Sequence, residues 1–149
     1  MIILRVLLYN ALLIGACGYA WLRGQRDERI TAATCVAATV ASFALVTELR
    51  FSGLEIGVLA VDLATLGVFV AVALRSERFW PLWVSGLQLT ASISHLLKLV
   101  EPKLMPFAYA AAEAAWSYPI LIILAIGTWR VGRYQQLPPA GAPELRAAL

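Results

Sequence analysis

The sequence predicts an all-α integral membrane bundle of five transmembrane helices, with the N-terminus outside and the C-terminus inside. Three observations predict it. First, 61% of the 149 residues are hydrophobic and only 14% are charged, whereas a soluble domain is roughly 45–50% apolar and about 25% charged. Second, apolar stretches of about 20 residues recur, each long enough to cross ~30 Å of hydrocarbon. Third, the charges gather in short breaks, "RGQRDER", "RFSGLE", "RSER" and "VEPKLMP". A mean hydropathy of +0.78 is more apolar surface than a water-soluble fold of this length can hide.

The first helix is expected near 2–22. "LLIGAC", ending at Cys17, loosely matches a lipoprotein cleavage box. Arg5 is the lone basic residue ahead of it, and apolar sequence runs on to Leu22. An uncleaved spanning helix is therefore expected. The second helix is expected near 30–49 and is rich in small residues. Ala33, Ala37 and Ala41 recur every four positions, a spacing that lets helices approach closely in lipid. Tight packing inside the protein is the expectation for this face. A homo-oligomer or membrane-protein contact through the same three alanines is the alternative.

The third helix, near 54–74, carries Asp62. The fourth, near 79–99, opens with Pro81 in its first turn, where a missing N–H costs least. The fifth, near 105–129, carries Glu113, Trp116, Ser117 and an internal Pro119. Together these helices make one transmembrane domain, 1–132. Residues 133–149, rich in Pro, Ala and Gly, are expected to form a flexible cytoplasmic tail.

Orientation follows from Lys and Arg. With the N-terminus outside, eight of the twelve basic residues fall inside: Arg23, Arg26, Arg29, Arg75, Arg78, Arg130, Arg133 and Arg146. Arg5, Arg50, Lys98 and Lys103 fall outside. That bias places the cytoplasm at the C-terminus. Trp21, Trp80, Trp83 and Trp129 then sit at inner helix ends, where amphipathic rings anchor. The scattered basic residues do not form a nucleic-acid patch.

The fourth helix raises the functional question. Ser85, Gln88, Ser92 and His95 lie at offsets 0, 3, 7 and 10, on one helical face. Leu87, Ile93 and Leu97 are expected opposite. Polar groups in hydrocarbon are costly unless paired, so the stripe is expected to face the bundle interior. His95 then lies ~7 Å below the outer surface, Asp62 ~9 Å and Glu113 ~9–14 Å. Asn10 on the first helix reaches a similar level. The binding or proton-relay candidates are therefore Asp62, His95, Glu113, Gln88, Ser92 and Asn10, with Asp62, His95, Glu113 and Asn10 placed in the outer half of the membrane.

Three readings of this cluster stay open. The groups satisfy one another and specify helix packing. They line a wet outer pocket that binds a ligand or relays protons. Or Asp62, His95 and Glu113 hold a metal, as two carboxylates and an imidazole hold divalent iron. No cofactor is indicated, and one histidine excludes bis-histidine haem within a single chain. Cys17 and Cys35, both in apolar segments, define neither a disulfide framework nor a zinc site. There is no phosphate loop, nucleophile elbow or paired-histidine metal helix.

The segments "RSERFWPLWVSGLQLTASISHLLKLVEP" and "AYAAAEAAWSYPILIILAIGTWR" resemble those of small uncharacterised polytopic inner-membrane proteins of alphaproteobacteria. The resemblance is best over helices four and five. It implies a bacterial inner-membrane placement and no particular activity. The functional expectation is a small non-enzymatic inner-membrane protein, an accessory subunit or small-ligand-binding protein in contact with membrane lipid. A small transporter or proton-linked channel component using Asp62, His95 and Glu113 is the alternative, and a membrane metalloprotein the second alternative.

Overall fold

The computed structural model describes residues 2–48, 54–100 and 106–134. They form five α-helices: α1 (Ile2–Arg23), α2 (Arg26–Glu48), α3 (Leu54–Arg75), α4 (Trp80–Val100) and α5 (Pro106–Tyr134). There is no strand among the described residues. α5 continues past the expected end of the transmembrane domain at 132, because "WRVGRY" holds no helix breaker stronger than one glycine. The remainder of the expected tail, 135–149, lies outside the described residues.

The helices close into a ring in chain order. Each packs on the next, α5 returns to α1, and α2 touches α5 across the middle. Short connections dictate the neighbours; the α1–α5 closure is a property of the whole ring.

Beside an apolar core, several polar side chains are buried and many large apolar ones face outward. Glu28, Thr31, Thr65, Ser85, Gln88, Ser92 and Thr128 are buried, while Leu4, Ile14, Phe43, Leu74, Phe79 and Trp83 are exposed. Water would punish both halves of that arrangement, and a bilayer rewards both. α1, α2 and α3 are each long and apolar enough to cross a membrane, by the spans Val6–Arg23, Arg26–Leu45 and Ile56–Arg75.

The half of the bundle nearer the α1–α2 turn is tightly made. Leu13, Ala16, Ala20, Phe69, Val84, Leu121 and Leu124 form its core. The α1–α2 turn leaves no room for a side chain at Gly24. A Cβ there would meet the Ala20 carbonyl oxygen at 2.3 Å and Glu28 Cβ at 2.6 Å. At Gly127 the absent side chain admits the Trp80 ring, whose atoms lie 3.1–3.3 Å from where a Cβ would sit. Trp80 therefore packs partly inward, against the expectation that it anchors at the interface. Trp21, Trp83 and Trp129 remain exposed, and Arg133 stacks its guanidinium 4.8 Å over the Trp129 ring.

The expected packing face of α2 is corrected. Ala33 and Ala37 are exposed and Ala41 is half-buried. The face turned inward is Glu28, Thr31, Ala32 and Cys35. The reason is the buried carboxylate of Glu28. Its interactions fix the rotation of α2, and the Ala33 face then points away from the ring.

Candidate functional site

α3 supplies Asp62, and α4 supplies Gln88 and His95. Seven residues separate the last two, which is about two turns, so both reach the same neighbour. The stripe is turned inward: Ser85, Gln88 and Ser92 are buried, whereas Leu89, Ile93, Leu96 and Leu97 are exposed. Leu87 departs from its expected place on the outer face and packs against the core.

Asp62 meets α4 side chains at both carboxylate oxygens. Gln88 Nε2 donates to Oδ1 at 3.1 Å, and reaches the Asp62 backbone carbonyl at 3.4 Å. A primary amide has two protons, so one nitrogen can serve both acceptors. His95 Nε2 stands 3.0 Å from Oδ2. The two oxygens are held differently. Oδ2 is buried and makes no aligned hydrogen bond among the described residues, although the imidazole is at ion-pair distance. The 3.0 Å separation defines the pair. The pair carries opposite charges only when His95 is protonated.

The other expected members divide. Ser92 lies on the inward stripe, but its hydroxyl donates to the Gln88 carbonyl at 3.0 Å. Ser85 donates likewise to the Pro81 carbonyl at 2.8 Å. Both are serines satisfied within their own helix. Asn10 donates its amide to the Val6 carbonyl at 2.8 Å and does not bond the cluster. Glu113 falls within α5, with its side chain outside the described residues. Among the described residues no three His, Cys, Asp or Glu side chains gather as metal ligands. Asp62 and His95 alone are two donors of the three named for a metal.

A cavity of about 710 Å³ opens beside this group, and all five helices line it. Asp62, Gln88 and His95 lie on its α3–α4 side. On its α1–α2 side stand Tyr9, Asn10 and Thr39, and α5 adds Ser117. Thr39 donates its hydroxyl to the Cys35 carbonyl at 2.9 Å. The Tyr9 hydroxyl, 3.1 Å from Thr39 Oγ1, therefore donates to it. Tyr9 also meets Tyr118 edge-to-face, with ring centroids 6.0 Å apart. Toward the α1–α2 turn, Phe69, Val84, Leu121 and Leu124 are all but inaccessible. They form an apolar floor.

Two groups of polar residues escaped the sequence reading. Tyr9 and Thr39 lie singly within otherwise apolar or small-residue helices. The signal available was that a phenol or hydroxyl in hydrocarbon needs a partner. The second group lies beneath the floor. Glu28, fully buried, accepts from Arg78 Nη1 at 2.5 Å and from the Gln25 backbone N–H at 2.9 Å. Arg78 Nη2 donates to the Gln25 side-chain oxygen at 2.7 Å. Gln25 precedes α2 and Glu28 is its third helical residue, so the carboxylate caps the helix start. The arginine then ties the α3–α4 turn to the α1–α2 turn.

No protein-family model, curated protein or solved structure matches this chain.

Proposed function

We propose that this chain is a five-span bacterial inner-membrane protein, N-out and C-in, that binds a small ligand in its outer-half pocket. It acts as an accessory or ligand-binding component and not as an enzyme. One observation carries the reading. Asp62, gripped by Gln88 and approached by His95, stands on the wall of a 710 Å³ cavity lined by every helix of the ring. A purely structural polar contact needs no such cavity beside it. Ligand sites are concave and mostly apolar, with a few convergent polar groups, and this cavity has that make-up. The ligand it suits is small, with an apolar body and a polar end that pairs with Asp62 and His95.

Five spans are supported by length and by the outward faces. α4 has 21 residues and α5 has 29. α4 turns Leu82, Leu89, Ile93 and Leu96 outward, and α5 turns Ile122, Ile126 and Trp129 outward. The inward polar stripe lowers the average hydropathy of α4 without altering what its outer face meets. Orientation is supported by the eight-to-four distribution of basic residues.

The Asp62–His95 pair favours a second reading, proton-linked transport. That mechanism needs a polar route inward, and Phe69, Val84, Leu121 and Leu124 occupy the inward path. Binding is therefore preferred over passage. Thiol labelling separates the two. In a chain with Cys17 and Cys35 replaced by alanine, Ser117→Cys should react with a membrane-impermeant maleimide added outside intact cells. Ser85→Cys, level with the floor beside Val84, should react from neither side. Silence at 117 removes the outer pocket, and reaction at 85 from the inside favours transport.

A further inference from the structure

A second concavity lies on the outer surface of the bundle, between α1 and α2. It measures about 690 Å³ and is lined by Cys17 and Trp21 of α1 and by Ala33, Val36, Ala37 and Val40 of α2, among others. We propose that this groove holds one acyl chain of an anionic phospholipid, with the headgroup phosphate on Arg26 and Arg29. The proposal rests on the chain being membrane-spanning and is independent of the outer pocket.

The alanines only make room; length and charge select the occupant. The groove follows α2 from Ala32 to Ala44, a rise of ~18 Å. That is a little over half of the ~30 Å hydrocarbon thickness, the reach of one leaflet. A packed transmembrane helix uses a face across the whole bilayer, whereas an acyl chain stops at the midplane. The walls are suitably apolar and open to the outside: Trp21 is 59% exposed and Val40 63%.

The charged end is in register. Arg26 and Arg29 precede Ala33 by seven and four residues, so they extend the same helical face. Both are exposed, as is Arg23 at the end of α1. Of the two acids in this turn, Glu28 is engaged by Arg78, which leaves Asp27 against three arginines. No ion pair holds these three arginines among the described residues. Their guanidinium groups suit a phosphate, which accepts paired hydrogen bonds in a fork geometry. Trp21 sits at the same end, with an indole suited to the headgroup boundary.

The test uses the full chain released from detergent for native mass spectrometry, with dioleoyl phosphatidylglycerol or dioleoyl phosphatidylcholine supplied. Wild type should retain the anionic lipid in roughly tenfold preference, since each basic residue near the headgroup adds to anionic attraction. The double variant Arg26→Gln, Arg29→Gln should lose that preference and remain folded. Ala37→Leu, which fills the groove, should lower lipid retention. A detergent-soluble chain that retains both lipids equally overturns this proposal alone. A chain that partitions into the aqueous phase overturns the membrane reading with it. A dimer mass that Ala37→Leu splits puts a second copy in the groove and also overturns the proposal.

Discussion

Arg78, in the turn before α4, closes on Glu28 at the start of α2, an acceptor fifty positions earlier in the chain and wholly buried. This pair locks the α1–α2 and α3–α4 turns together at one end of the ring. It also sets the rotation of α2, and so decides which α2 residues face the pocket. Removing the cation leaves a buried carboxylate without its charge partner, a change that costs about 3–5 kcal/mol in buried pairs. Arg78 is one-third exposed, so solvent offsets part of this, and the low end is expected. Arg78→Ala should therefore lower the thermal midpoint in detergent markedly. Adding Glu28→Gln should recover part of the loss. Equal melting of wild type and Arg78→Ala would show that the clasp does not hold the ring.

Gly24 lies inside that clasp. The Ala20 carbonyl and Glu28 Cβ occupy the space a methyl would need. Gly24→Ala should force the α1–α2 turn apart, at a cost of about 1–3 kcal/mol for overpacking. Gly86, with nothing near its missing Cβ, is the matched control. Gly86→Ala should be neutral or slightly stabilising, because alanine favours helix. Melting curves of the two variants that coincide would contradict the geometry of the turn.

Gln88 should matter to Asp62 more than to the fold. Gln88→Leu removes the amide that donates to Oδ1. Polar contacts of this kind in membranes average only ~0.6 kcal/mol and reach ~1.7, so the protein should still assemble. Its ligand occupancy should fall, since the carboxylate loses the partner that orients it. His95→Gln should keep the fold, because an amide still donates to a carboxylate. A Gln88→Leu chain that fails to assemble at all would assign the residue to folding.

Much of the architecture was legible in the sequence because helix length and polarity are local properties. The α4 stripe is the clearest case. Its offsets alone pointed Gln88, Ser92 and His95 inward, and the structure places His95 Nε2 3.0 Å from Asp62. The rotation of α2 was not legible. Two small-residue stripes run along that helix, at Ala33–Ala37–Ala41 and on the face of Ala38 and Ser42. Choosing between them required knowing that Glu28 is buried and where Arg78 lies. Asn10 shares the cavity wall with Asp62, Gln88 and His95, but its short amide bonds its own helix backbone.

The exposure of Ala33 and Ala37 has a direct consequence. Ala32→Leu, on the buried face, should destabilise the monomer by about 1–3 kcal/mol. Ala37→Leu should leave the monomer's melting unchanged. The reverse order would return α2 to the rotation that the alanine spacing suggests.

The pocket itself is tested most directly by the mass of the gently extracted chain. Native spectra should show wild type carrying a small adduct beyond chain and lipid. Ser117→Phe, which fills the cavity from α5, and Asp62→Asn, which removes the charge that His95 faces, should each lose it. The same spectra showing no adduct on wild type, with Ser117→Phe as stable as wild type or more so, would contradict a ligand-binding pocket and leave the Asp62–Gln88–His95 group as a packing contact alone.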